Sequence, residues 1–359
     1  MAFSIHEDIT QAHTLPADFY LSEDTYHQSV EQVFARTWHF IGHQSEYPAN
    51  LNVFPVKLYP GFMEEPMVLT RGEQGLQCLS NVCTHRGNLL MSVPGQHRQL
   101  ICGYHGRRFA LNGQMTHMPE FKEVKDFPAA CDHLAQYPLH DWRGFLFTAP
   151  DPAFPFAEIS EVLDRKCGFL PWEEARFDAE HSKDYIVQAH WALYCDNYLE
   201  GFHIPFVHPG LNAALDYGSY ATELYPYLNL QVGLAGGDTL AFEMPTDHED
   251  AGKSVAAYYF WVFPNMMWNV YPWGVSVNVV KPLSPTRTRV SFLSYVWDES
   301  KREGSAGEEL DKVEREDEAV VESVQKGLRS RHYHRGRYSP TREQGVHHFH
   351  RLLDRFMNP

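Results

Sequence analysis

The sequence predicts an α+β protein of two parts, a small all-β unit followed by a larger unit in which helices accompany a large antiparallel sheet. Three observations point there. Between Phe40 and Ala149 the chain breaks into short β-type segments punctuated by Gly and Pro. Pro150, Pro152 and Pro155 then mark a boundary. Beyond it, long strand-like runs from Val255 to Asp298 lie between segments of helical period. The expected division is residues 1–38 as an N-terminal helical segment packing on the second unit, 39–150 as the β unit and 151–359 as the α+β unit. A chain of 359 residues is long enough for two buried cores.

Taken in order, Tyr26, Val30, Val33 and Phe34 recur at helical spacing and predict a helix from Asp24 to Trp38. The β unit is carried by PMVLTRG, LQCLSNVC, RQLICG, RRFALNGQM and GFLFTAP. A helix is expected from Trp191 to Phe202, and another from Glu309 to Arg329 after the charged loop DESKREGSAGEE. The ending is a helix opened by Ser-Pro, with Val346, Phe349, Leu353 and Phe356 on one apolar face. The most apolar stretch, Ala256–Val270, is interrupted by Pro264, Asn265 and Asn269 and reads as buried strand, not as a membrane span. The start MAFSIHEDITQAH has neither a basic region nor an apolar run of the secretory type, so a cytoplasmic location without membrane attachment is expected.

Thirty basic against 46 acidic residues leave a formal charge of −16, the wrong sign for a general nucleic-acid binder. Histidine stands out, with 21 residues beside 8 Trp, 19 Tyr and 23 Phe, which suits metal chemistry near an apolar cavity. The six cysteines form no dense framework, so they are expected to be reduced or metal-bound.

Four of those residues form a pattern. Cys83-x-His85 is followed, after sixteen intervening residues, by Cys102-x-x-His105, each pair in a Gly-containing turn. Structural zinc sites usually pair like with like, two cysteines and then two histidines. Here each loop offers one thiolate and one imidazole, the ligand set of a Rieske [2Fe–2S] centre, in which cysteines hold one iron and histidines the other. Zinc is the competing occupant.

A second set lies in HWALYCDNYLEGFHIPFVHPG. On a helix Trp191, Tyr194, Cys195, Tyr198 and Phe202 form an apolar stripe, while Asp196, Asn197, Glu200 and His203 lie opposite, with His208 beyond Pro205. Farther on, Asp317 sits at the centre of a helical stripe formed by Leu310, Val313, Val320, Val321, Val324 and Leu328, all within about 60° of it. A buried carboxylate needs a cation, a metal or a shifted pKa, since an unpaired one costs several kcal/mol. His203, His208 and Asp317 make the two-His, one-carboxylate set of non-haem Fe(II) oxygenases. A salt bridge from Asp317 to an arginine elsewhere is the structural alternative.

A Rieske ligand set upstream of such a triad resembles the catalytic α subunit of Rieske non-haem iron oxygenases, over most of the chain from Trp38 to Phe356. The resemblance implies a Rieske domain plus a helix-grip, START-like catalytic domain. It implies a cluster on Cys83, His85, Cys102 and His105, and mononuclear Fe(II) on His203, His208 and Asp317. It also implies electrons from a separate flavin/iron-sulfur reductase and a head-to-tail homotrimer in which they cross between subunits. Glu200 stands where ring-hydroxylating relatives keep the bridging aspartate; with Asn197 it is read as a catalytic residue. DNYLEGFHIPFVHPGLNAAL and YFWVFPNMMWNVYPWGVSVNVVKPL are most similar to the choline monooxygenase, quaternary-ammonium branch. That implies hydroxylation of a choline-, betaine- or carnitine-type substrate, its cation held over aromatic faces. Tyr194, Tyr259, Trp261, Trp268, Tyr271 and Trp273 are the candidate cage, Tyr259, Trp261 and Phe263 sharing one strand face. The alternatives are an oxygenase of aromatic rings or of O- or N-methyl groups, and an electron-transfer Rieske protein without oxygenase activity.

Overall fold

The computed structural model describes residues 3–208, 221–237, 239–303, 305 and 310–358. Two compact units emerge: Ala35–Ala153, and the residues up to Phe34 together with those from Phe154 onward. Among the described residues no helix is long and apolar enough to cross a membrane.

The 35–153 unit is built from β1 (His39–His43), β2 (Val53–Leu58), β3 (Glu65–Gly72), β4 (Gly75–Ser80), β5 (Leu100–Ile101), β6 (Arg108–Phe109), β7 (Met115–His117), β8 (Gln136–Tyr137), β9 (Leu139–Trp142) and β10 (Phe145–Thr148). They form three antiparallel sheets, β2-β3-β4-β8, β5-β6-β7 and β1-β10-β9. Val53, Val68, Leu79, Leu100, Phe109 and Met115 make a core that also takes in Cys83 and Cys102.

The larger unit is organised by one seven-stranded antiparallel sheet. Its strands are β11 (Arg176–Val187), β12 (Ala221–Tyr225), β13 (Leu228–Leu234), β14 (Val255–Val262), β15 (Met266–Tyr271), β16 (Gly274–Ser284) and β17 (Arg287–Val296), in the order β11-β17-β16-β15-β14-β13-β12. The apolar stretch that might have passed for a membrane span is thus β14, a turn and β15, with Phe260 opposite Trp268. The helices are α1 (Ala17–Leu21), α2 (Glu23–Gln32), α3 (Ala157–Cys167), α4 (Trp191–Tyr198), α5 (Ile204–Val207), α6 (Leu310–Gly327) and α7 (Gln344–Met357). The apolar face of α7 is buried at Val346, Phe349, Leu353 and Phe356, each side chain contributing about 1.5–3 kcal/mol. Phe349 packs on Trp191 and Trp261, ring centroids 5.9 and 4.9 Å away, so α7 ties α4 to the sheet.

Two expected helices differ in ways that shape the site. The first stops at Tyr198 and does not reach Phe202. The Glu200 carboxylate accepts the backbone N–H groups of Phe202 and of His203, the latter at 3.1 Å, and so caps the turn that leads into α5. Phe202 consequently leaves the apolar stripe and is exposed. The second, α6, buries Glu314, Asp317, Val321 and Gln325, with Leu328 buried just beyond its end, while Val324 is exposed. Its inner stripe is largely polar because α4 presents polar partners to it. The Leu310 side chain lies outside the described residues, as do residues 209–215 of the choline-monooxygenase-like motif.

Candidate metal centres

Cys83 and Cys102 open two turns of the same design. Gly87 N–H donates to the Cys83 carbonyl at 3.0 Å, and Gly106 N–H donates to the Cys102 carbonyl at 3.0 Å. Both glycines take positive φ, +69° and +72°, where a Cβ would be strained. Each turn sends its thiol into the core, while His85 is half-buried and His105 exposed. The two imidazole centroids lie 4.8 Å apart. The thiols are within hydrogen-bonding reach of each other, and none of the six cysteines forms a disulfide. Burial drives the Cys83 thiol up. Burial would also raise Cys102, but the Tyr104 amide, Cys83 and the His105 amide pull it below its ordinary value, with Asn88 Nδ2 at 3.6 Å from its sulfur. His85 Nδ1 is buried with no hydrogen-bond partner among the described residues. Two buried thiols, two neighbouring imidazoles and an orphaned ring nitrogen form a donor set that fits a mixed Cys/His cluster.

In the larger unit three ligand atoms, one each from His203, His208 and Asp317, lie within 4.8 Å of one another. Asp317 Oδ1 stands 2.9 Å from His208 Nε2 and 3.4 Å from His203 Nε2. The partners of Asp317 are therefore these imidazoles and Asn197, whose Nδ2 donates to the same oxygen at 2.6 Å; the arginine alternative is not what the fold adopts. The far side of each imidazole rests on its own carboxylate. His203 Nδ1 meets Glu200 Oε1 at 2.7 Å, and His208 Nδ1 meets Glu316 Oε2 at 2.7 Å. Such outer carboxylates fix the tautomer and leave Nε2 free to bind a metal. Burial alone would lower His203, but hydrogen bonds to Asp317 and Glu200 outweigh it and raise it to about 9. His208 is raised in the same way, and the two imidazoles hold Asp317 low against its burial. The donor set suits a divalent metal with open positions.

Glu316 and Glu314 are not among the sequence-predicted site residues, because no local spacing pairs them with His208 or with α4. Glu314 is buried and accepts from the Tyr194 hydroxyl. Tyr194→Glu314 and Asn197→Asp317 are parallel rungs, each pair three residues apart on α4 and α6.

The aromatic candidates divide between the two sheet faces. Tyr259 lies opposite Asn269, and Tyr198 of α4 donates to Asn269 Oδ1 at 2.7 Å, so Tyr259 and Tyr271 are on the face that α4 covers. Trp261 shares that face but is buried under Phe349. Trp268 is on the other face, 6.1 Å from Trp172, which removes it from the cage. Trp273 is stacked on Tyr271 at 5.4 Å and already carries the Arg302 guanidinium 4.4 Å above its ring.

Comparison with known proteins agrees with this geometry. The Rieske [2Fe-2S] domain model matches residues 37–128, and the ring hydroxylating alpha subunit catalytic-domain model matches residues 173–358. The chain belongs to the Rieske non-haem iron oxygenases. It is 30% identical to the chloroplastic choline monooxygenase of Arabidopsis thaliana over 96% of this chain and 83% of that protein. It is 31% identical to the carnitine monooxygenase oxygenase subunit of Escherichia coli K12, over 96% and 93%. A solved quaternary ammonium Rieske monooxygenase in complex with gamma-butyrobetaine superposes with a TM-score of 0.75 at 25% identity, covering 99% of this chain and 100% of that one. The oxygenase is thus an O2-dependent oxidoreductase with a Rieske cluster and a mononuclear iron.

Proposed function

We propose that Cys83, His85, Cys102 and His105 hold the cluster, that His203, His208 and Asp317 hold the iron, and that the enzyme hydroxylates a C–H bond of a small quaternary ammonium compound. The observation that carries the metal assignment is the convergence of both Nε2 atoms on Asp317 Oδ1. Residues 39–150 form the cluster domain, and 151–359 with the segment 1–38 the catalytic domain. The substrate class is supported by the relatives, which are named for choline and carnitine, and by Tyr259 and Tyr271 on the α4 side of the sheet. An electron-rich ring face attracts a permanent cation by about 0.5–2 kcal/mol.

When bound, Fe(II) supplies oxygen activation and the cluster supplies electrons one at a time. The protein's part is positional. Asn197 holds one Asp317 oxygen in place, while Glu200 and Glu316 fix the imidazole tautomers. Hydroxylation of an N-methyl group would release formaldehyde; hydroxylation of choline's carbinol carbon would give the aldehyde hydrate. Electrons come from a separate NAD(P)H-dependent flavin/iron-sulfur reductase, and they cross between subunits of a homotrimer with Glu200 as the bridge. Exposed apolar side chains beside both centres support this: Tyr104 and Ile101 near the cluster loops, Phe202 and Phe206 beside His203. Six cysteines without a disulfide suit a cytoplasmic enzyme.

The test is substrate-dependent NADH and O2 consumption with a generic reductase over choline, carnitine, betaines and aromatic compounds. Coupled turnover is expected with a quaternary ammonium compound. Coupled turnover confined to aromatic substrates would overturn the substrate class.

A further inference from the structure

Two residues beyond His105, Arg107 is only 2% exposed. Its guanidinium meets Asp132 Oδ1 at 2.5 Å and lies 5.4 Å and 5.9 Å from the Phe127 and Phe109 ring centroids. Its Nε is buried and has no hydrogen-bond partner among the described residues. The Arg107 carbonyl accepts the Cys102 N–H at 2.8 Å, so this charge is anchored to the second ligand loop. Asp132 is tied to the first. Its carbonyl accepts from the hydroxyl of Thr84, the residue between Cys83 and His85, at 2.8 Å, and its other carboxylate oxygen accepts from Ala129 N–H at 2.8 Å.

The pair is unequal. Asp132 is 19% exposed and partly screened by water, whereas the guanidinium is enclosed. Removing a cation from water without full compensation is costly, and here the enclosed cation is joined to the second candidate ligand loop through the Cys102 N–H.

We propose that Arg107 is a potential-setting residue: its under-compensated charge stabilises the reduced, more negative cluster and raises its reduction potential, while Asp132 limits the rise. Cluster potentials respond to local charge, hydrogen bonding and exposure. The proposal rests on Cys83, His85, Cys102 and His105 being the cluster ligands. A higher potential favours electron arrival from the reductase and makes onward transfer to the iron less steeply downhill.

A redox titration of the full-length, cluster-loaded protein at one fixed pH, followed by visible absorbance and EPR, tests it. Arg107→Met should shift the reduction equilibrium at least tenfold toward the oxidised form, about 59 mV for a one-electron couple. Asp132→Asn, which removes the opposing charge and keeps the shape, should move the potential the other way. Arg107→Lys should restore most of the wild-type value. A mere clamp on the loops would wet the cluster in both Arg107→Met and Asp132→Asn, moving them in one direction; that result, or no movement, overturns the proposal. If Arg107→Met fails to hold a cluster, Asp132→Asn decides by the sign of its shift. A wild-type protein without a Rieske spectrum would instead overturn the ligand assignment itself, and the inference with it.

Discussion

Asp317 brings the one negative charge among the three converging groups, and each imidazole leans on a carboxylate outside them. The arrangement separates two kinds of variant. Asp317→Asn keeps volume and the Asn197 contact but removes a ligand charge, so elemental analysis should fall from three irons per chain to two, with turnover lost and the cluster spectrum intact. Near-normal iron would make Asp317 a structural partner of the histidines. Glu316→Gln leaves all three ligands in place and weakens only the hold on His208 Nδ1. Loss of such an outer partner typically costs 10–100-fold in metal affinity, and Fe(II) titration of the metal-depleted mononuclear site against a competing chelator measures it. Unchanged affinity would mean that His208 keeps its tautomer without Glu316. The candidate ligands were legible as such, because Cys-x-His, Cys-x-x-His and Glu-x-x-His-x4-His are local spacings, and the fold brings His203, His208 and Asp317 together. Glu316 was not, since only the packing of α6 against the turn after α4 turns an acidic neighbour of Asp317 into a partner of His208.

At the scale of elements, α4 is held at its start by His190, whose Nδ1 accepts the Ala192 N–H at 3.2 Å, while its backbone N–H donates to Gln325 Oε1 of α6 at 2.7 Å. Phe19, Tyr20, Tyr26 and Trp191 surround the ring at 5.5–6.0 Å. Burial lowers this imidazole to about 3, against about 6.5 in an unfolded chain. Between those values the unfolded state binds the extra proton. This site therefore stabilises the larger unit fully above pH 6.5 and loses about 1.4 kcal/mol for each unit of acidification toward pH 3. His190→Asn retains a capping side chain without that titration. Denaturation at pH 7, 6 and 5 should show wild type losing more stability than the variant; parallel losses would place a water or proton beside the ring. Element identity was well marked in the sequence by period and punctuation. The end of α4 was not, because Glu200 caps a new turn through its side chain, a tertiary choice that helical spacing alone does not reveal. Nor did strand alternation say which face of the sheet α4 covers. Trp268 fell from the cage on register, Trp261 on its burial under α7.

At the scale of the whole molecule, a formal charge of −16 should keep copies of the chain apart. Yet Phe206, at 79%, is the most exposed large apolar side chain described, and it lies between His203 and His208 in sequence. Tyr104, at 58%, lies over the His105 ring at 3.7 Å. Solvent-exposed aromatics next to both redox centres make sense if each patch meets the other across a subunit boundary, where burial would exclude water from the electron path. Phe206→Asp puts a charge into that contact without touching a ligand. Sedimentation should find wild type at three times the mass of one chain and the variant largely as single chains, both with full cluster and iron content. Stopped-flow reoxidation of the reduced cluster by O2 and substrate should then be slow in the variant and quicken as its concentration rises, because the electron must wait for an encounter between two chains. A monomeric variant that reoxidises at the wild-type rate would show that the electron never leaves its own chain, and Glu200 would lose its place as a bridge while keeping its hold on His203.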